Sequence, residues 1–132
     1  MAFASPRITP YLLYEDLDGA LQWLTKAFGL HEILRHGPPG GKPTHAEMSL
    51  ADDGMLLLGS PGPQYKNPKH LGGSTHSLYV RVENVDAMFE RAVSAGAVVL
   101  EQPTDQPYGD RRCGLEDPEG HRWYFAQALA KP

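Results

Sequence analysis

Two stretches of this chain, 68 residues apart, carry one pattern: YEDLDGAL at 14–21 and VENVDAMF at 82–89. A repeated unit constrains a fold more tightly than any composition, because each copy must be built from the same elements. Each stretch follows an apolar strand-like run, ITPYLL in the first case and HSLYVR in the second. Each then opens an amphipathic helix. Leu17, Ala20, Leu21, Leu24 and Ala27 form the first apolar stripe, and Val85, Met88, Phe89, Ala92 and Val93 the second. Both follow the i, i+3, i+4, i+7 spacing of a helix that buries one face. Leu21 and Phe89 are therefore expected to be equivalent core residues.

The helix ends repeat as well. Asp16 and Asn84 stand where an N-cap accepts from orphan backbone N–H groups, and Gly29 and Gly96 follow the last periodic residue, where a left-handed C′ position favours glycine. Strand-like runs follow in each half: HEILRH, THAEMSL and MLLLGS, then AVVLEQP, RRCGLE and HRWYFAQ. The turn DPEG before the last run is well formed for a hairpin, with Pro118 pre-setting φ and Gly120 tolerating a left-handed conformation. Each half thus reads strand–helix–strand–strand–strand. The expected organisation is one α+β domain over 1–132, with a first half at about 8–60, a Pro/Gly/Asn-rich connector at 61–75 and a second half at about 76–128.

Composition enters mainly by exclusion. At 132 residues the chain can bury roughly two-thirds of its unfolded surface, so it needs no staple, and its single cysteine, Cys113, rules out an intrachain disulfide framework. The formal net charge of −4, with acids and bases interspersed, argues against a nucleic-acid partner. No apolar run approaches the roughly 20 residues of a membrane span. MAFASPRITPYLL lacks the charged region and apolar core of a signal peptide, so a cytoplasmic protein is expected.

The tandem βαβββ order, with EDLDGALQWLTKAFGL opening one half and DPEGHRW closing the other, resembles the vicinal-oxygen-chelate superfamily of glyoxalase I, extradiol dioxygenases and bleomycin-resistance proteins. QPYGDRR, EDPEGHRWYF and HSLYVRVENVDAMFERAVSAGA are most similar to its glyoxalase/bleomycin-resistance-like branch. The resemblance implies an eight-stranded open cup with the helices outside, and commonly a two-fold homodimer. It also implies four metal-ligand positions inside the cup, which fall here on Thr9, Leu58, Ser77 and Tyr124, with Leu57 as the neighbouring register for Leu58. None is a usual ligand for a divalent metal. No metal and no cofactor are therefore expected.

His76 lies beside Ser77 but shares strand parity with Leu78 and Val80, which points to a structural or exposed role. In THAEMSL, His45, Glu47 and Ser49 alternate with Ala46, Met48 and Leu50, so the polar set shares one face. A histidine and a carboxylate two apart could touch one ion, with His121 or His76 as a third ligand; a solvated strand face would look the same. In HRWYF, Arg122, Tyr124 and Ala126 face one way and Trp123 and Phe125 the other. Tyr11, Leu13, Leu58, Tyr79 and Tyr124 would give the cup an aromatic and apolar lining, or would fill it as core. In QPYGDRR, Tyr108, Arg111 and Arg112 could meet a ligand carboxylate or phosphate, or pair with Asp110 or Glu116.

These residues point to a protein that binds an apolar or aromatic small molecule without metal, through Tyr11, Leu13, His45, Glu47, Leu58, Ser77, Tyr79, Tyr108, Arg112 and Tyr124. The alternative is a metal-dependent or acid–base lyase, isomerase or dioxygenase of the same superfamily, with a displaced site around His45 and Glu47.

Overall fold

A computed structural model describes residues 6–130, so the start of the MAFASPRITPYLL segment lies outside the described residues. The chain divides into two compact units between Lys66 and Asn67, inside the stretch read as a connector.

The first unit contains β1 (Tyr11–Leu13), α1 (Leu17–Phe28), β2 (His31–His36), β3 (His45–Leu50) and β4 (Gly54–Gly59). Its four strands form one open sheet in the order β1-β4-β3-β2, with β1 parallel to β4 and the other pairs antiparallel. Helix α1 starts where the Asp16 carboxylate accepts the Gly19 N–H and ends at Gly29, which adopts φ 72°. A cap of this kind stabilises a helix by about 1 kcal/mol relative to alanine. The stripe Leu17, Ala20, Leu21, Leu24 and Ala27 is buried as expected, and Phe28 joins it. Leu12, Ala46, Met48, Leu56 and Leu58 on the strands are buried too, and together these side chains make the unit's core.

The second unit contains α2 (Pro68–Leu71), β5 (Leu78–Arg81), α3 (Val85–Ser94), β6 (Val98–Asp105), β7 (Asp110–Glu116) and β8 (Arg122–Ala128). Its sheet order, β5-β8-β7-β6, repeats that of the first unit, with the parallel pair again formed by the first and last strands. Asn84 caps α3 through the Ala87 N–H, and the Gln127 side chain accepts the Val85 N–H, tying the helix start to β8. Val85, Ala92, Cys113, Leu115, Trp123 and Phe125 are fully or almost fully buried.

The expected equivalence of the two helices is only partial. Leu21 is buried, whereas Phe89 and Met88 are half-buried and Val93 is 40% exposed. Strand β6, which has two register shifts, likewise leaves Val98, Val99 and Leu100 exposed. The short helix α2 was not legible as such in the connector. It begins at Asn67, whose side chain accepts the His70 N–H, and Pro68 occupies the first helical position, where a missing N–H costs nothing.

Candidate functional site

In both sheets, alternation separates a buried face, carrying Leu12, Ala46, Met48, Leu58, Trp123 and Phe125, from a second face that carries Tyr11, His45, Glu47, Tyr79 and Tyr124. Register fixes the membership of each face, because directly opposite residues on paired strands share a side. In the first unit, Tyr11 lies opposite Leu57, Leu57 opposite Glu47, and Gly59 opposite both Leu13 and His45. Tyr11, Leu13, His45 and Glu47 therefore share one face. Leu58 pairs with Leu12 and Ala46 and is fully buried on the opposite side. This corrects the placement of Leu58 as a lining residue: a one-residue step in a strand reverses the face. Leu57 takes the position, and it is equally unable to bind a metal.

On that face the Tyr11 hydroxyl lies 2.9 Å from His45 Nδ1, and the two rings meet edge to face. Glu47 Oε2 stands 3.6 Å from His45 Nε2. A carboxylate facing Nε2 favours the proton there, which leaves Nδ1 to accept from the tyrosine. His36, paired across the strands with His45, stacks on it at 6.2 Å. The Tyr11 ring rests over Gly59, where a Cβ would stand 2.9 Å from it.

In the second unit, Tyr79 lies opposite Tyr124, Tyr124 opposite Gly114, and Arg112 opposite Ala126. Tyr79, Arg112 and Tyr124 thus share a face, and Tyr108 reaches them from the β6–β7 turn. The Tyr79 hydroxyl donates to Asp110 Oδ2 at 2.7 Å and lies 3.2 Å from the Tyr108 hydroxyl. Because the one phenolic hydrogen of Tyr79 goes to Asp110, Tyr108 donates to Tyr79. Tyr108 in turn accepts from Arg112 Nη1 at 3.1 Å. The result is a directed chain, Arg112 to Tyr108 to Tyr79 to Asp110. Loss of water around the Tyr79 phenol, then its bonds to Tyr108 and Asp110, push its pKa above the ordinary phenol range. Arg112 is held by two bonds to Glu101, both 2.9 Å, which raise its pKa, and its guanidinium lies over the Tyr124 ring at 5.3 Å. A Cβ on Gly114 would stand 2.7 Å from Tyr124, so only glycine lets that ring settle on β7.

Four of the expected binding residues, Tyr79, Tyr108, Arg112 and Tyr124, are therefore brought together. Ser77 is exposed and precedes β5, and His76 is exposed as well. The arginines do pair with carboxylates, but with others than the neighbours named from sequence. Arg111 points to the helix side, with two bonds to Asp86 on α3 and one to Asp105, and Arg112 takes Glu101. Sequence reasoning missed Glu101 because the register shifts in β6 decide what it faces. Asp110 offered a signal, lying directly before both arginines.

The metal chemistry implied by the resemblance finds no donor set. The corresponding positions hold Thr9, Leu57, Ser77 and Tyr124, and among the described residues no three His, Cys, Asp or Glu side chains cluster closely enough to hold an ion. His121, directly after the DPEG turn, is buried, and its backbone N–H donates to the Asp117 carboxylate. Nor, among the described residues, is any helix long and apolar enough to cross a membrane.

The sequence and the fold have known counterparts. Uncharacterized proteins of Mycobacterium bovis and Mycobacterium tuberculosis are each 35% identical over 129 residues, covering 94% of this chain and 84% and 75% of their own lengths. TioX from Micromonospora sp. ML1 has the same fold with TM-score 0.76 and 31% identity, over 95% of this chain and 100% of its own. Glyoxalase I from Zea mays shares the fold alone, at TM-score 0.73 and 18% identity, over 94% of this chain and 46% of its own. The model of one family matches residues 7–125, nearly the whole of both units. By sequence, by strand order and by this match, the chain belongs to the Glyoxalase/Bleomycin resistance protein/Dioxygenase superfamily.

Proposed function

We propose that this protein is a small-molecule-binding member of the superfamily that holds a flat aromatic ligand on the Tyr79, Tyr108, Arg112 and Tyr124 face of its second sheet, without a metal, as a cytoplasmic homodimer. One observation carries the reading. Tyr79 and Tyr108, 49% and 60% exposed, are fixed by hydrogen bonds on the side of the sheet away from its apolar core. Large rings held still in water lose little entropy on binding and offer both stacking area and polar edges. The donor chemistry of Thr9, Leu57, Ser77 and Tyr124 supports binding over metal-assisted catalysis. Isothermal titration with 2-naphthamide tests this. Binding is expected, and Tyr124→Ala should weaken it by about 1 kcal/mol, the scale of one aromatic pair. Unchanged binding in both Tyr79→Ala and Tyr124→Ala would move the ligand elsewhere. Light scattering at micromolar concentration should give twice the chain mass, and a monomer would defeat the dimer.

A second reading rests on Tyr11, His45 and Glu47. A histidine between a phenol and a carboxylate is an arrangement for acid–base chemistry, in which Glu47 would support His45 as a proton acceptor. If that site instead held a displaced metal, Zn²⁺ at 100 times its dissociation constant would raise stability by about 2.7 kcal/mol. Unchanged melting with EDTA and with Zn²⁺ would remove the metal version of this reading.

A further inference from the structure

We propose that the second unit carries an anion pocket at the end of its aromatic face, so that the ligand it takes is a planar aromatic carboxylate; this rests on the aromatic-face reading above. A cavity of about 230 Å³ is lined by Pro68, Lys69, Gly72, Gly73, Glu116, Gly120 and Arg122. A water molecule's share of liquid volume is about 30 Å³, so the cavity has room for a carboxylate and the first atoms that bear it. Its walls are set by the DPEG turn. The buried Asp117 carboxylate accepts the N–H groups of Glu119 and His121 and the Trp123 indole N–H. Gly120, at φ 93°, comes so close to α2 that a Cβ would stand 2.5 Å from the Lys69 backbone nitrogen. That approach lets the Lys69 N–H reach the Glu119 carbonyl at 3.0 Å, while the Asn67 side chain donates to the Glu119 carboxylate. Helix α2 is thereby seated beside Arg122.

Arg122 Nε is buried and makes no hydrogen bond. It forms an ion pair with Glu116 Oε2 at 3.7 Å, while the side chain as a whole is 40% exposed, so the guanidinium keeps capacity for a second anionic partner. Buried N–H groups of charged side chains seldom go unpaired, and an orphan of this kind marks a place where a partner fits. Lys69, Arg122 and Glu116 are the charged residues of the lining, and the Asp117 and Glu119 carboxylates of the turn already accept from backbone and side-chain N–H groups. A ligand carboxylate would give the Arg122 guanidinium a second anionic partner. Arg122 also stands two residues before Tyr124 on the same face of β8, roughly 7 Å away at the rise of a strand. A fused aromatic ring against Tyr124 places a carboxylate substituent at Arg122, where the guanidinium fork matches its two oxygens.

The test compares 2-naphthoate with 2-naphthamide, which has the same ring and no charge, by isothermal titration calorimetry on the full chain. The acid is expected to bind at least tenfold more tightly. The Lys69→Gln, Arg122→Gln double variant, checked for folding by circular dichroism, should bring the acid-to-amide ratio within twofold. Tyr124→Leu should weaken both probes by similar factors and keep the ratio. In NMR, the Gly72, Gly73 and Gly120 amides should shift with the acid and not with the amide. Equal affinities of the two probes for the unmodified protein, or an acid preference without shifts at those glycines, overturn the anion pocket and leave the aromatic face standing. Binding of neither probe at millimolar concentration overturns the aromatic face and the pocket with it.

Discussion

Asp117 is the residue on which the geometry of the DPEG turn depends, and its replacement gives a sharp test. The carboxylate is 2% exposed; one oxygen accepts the Glu119 and His121 N–H groups, both at 3.0 Å, and the other accepts Trp123 Nε1 at 3.1 Å. In Asp117→Asn the remaining carbonyl oxygen can serve the two backbone donors, but the new amide NH₂ then faces the indole N–H. A charge-assisted bond is lost and two donors are opposed, for a cost of about 2–3 kcal/mol. Asp117→Ala strands all three donors and should cost about 3–5 kcal/mol. Trp123→Phe removes the opposed donor, so in that background Asp117→Asn should cost only about 1 kcal/mol. The coupling, about 1–2 kcal/mol, is read from guanidinium unfolding of the four proteins by far-UV circular dichroism, provided the slopes agree. Hydrogen exchange of the Lys69 amide should speed up in both Asp117 variants, because its acceptor lies on this turn. A coupling below about 0.3 kcal/mol would refute the reasoning.

Three further outcomes follow from the same structure. Gly120→Ala forces a left-handed φ on a residue with a Cβ and drives that carbon against Lys69; it should cost about 1–3 kcal/mol in chemical unfolding, and a neutral result would contradict the close approach. Burial pushes the Cys113 thiol up to about 11, so it should resist iodoacetamide at pH 8 until the protein unfolds. A thiol pKa raised in the folded state favours folding fully below its unfolded value, near 9, and that contribution disappears as pH rises toward 11; fast alkylation of the native protein at pH 8 would show the site to be open. Leu21→Ala should cost about 2–5 kcal/mol and Val93→Ala about 0.5 kcal/mol or less, and the reverse order in unfolding measurements would mean the exposed end of α3 is misjudged.

The local rules written in this sequence determined its elements. Asp16 and Asn84 cap the helices they precede, the α1 stripe is buried to its last residue, and Gly120 takes the positive φ that a DPEG turn needs. Strand alternation likewise placed His45 with Glu47, and Trp123 with Phe125, on their respective faces. All of these depend on residues within a few positions of one another, so spacing and side-chain chemistry suffice. What tertiary structure decided were matters of pairing across the chain. Register against β1 and β3 turned Leu58 inward and brought Leu57 to the other face. Shifts in β6 gave Arg112 to Glu101, and the fold of the second unit gave Arg111 to Asp86, over separations that no local pattern encodes. The docking of α2 on the last hairpin's turn has the same origin, since Lys69 and Gly120 meet only once β8 has been placed beside β7. Local chemistry fixes which conformations a segment can adopt, but the partner of a long polar side chain is fixed by which strand lies beside it, and that is settled only when the whole core closes.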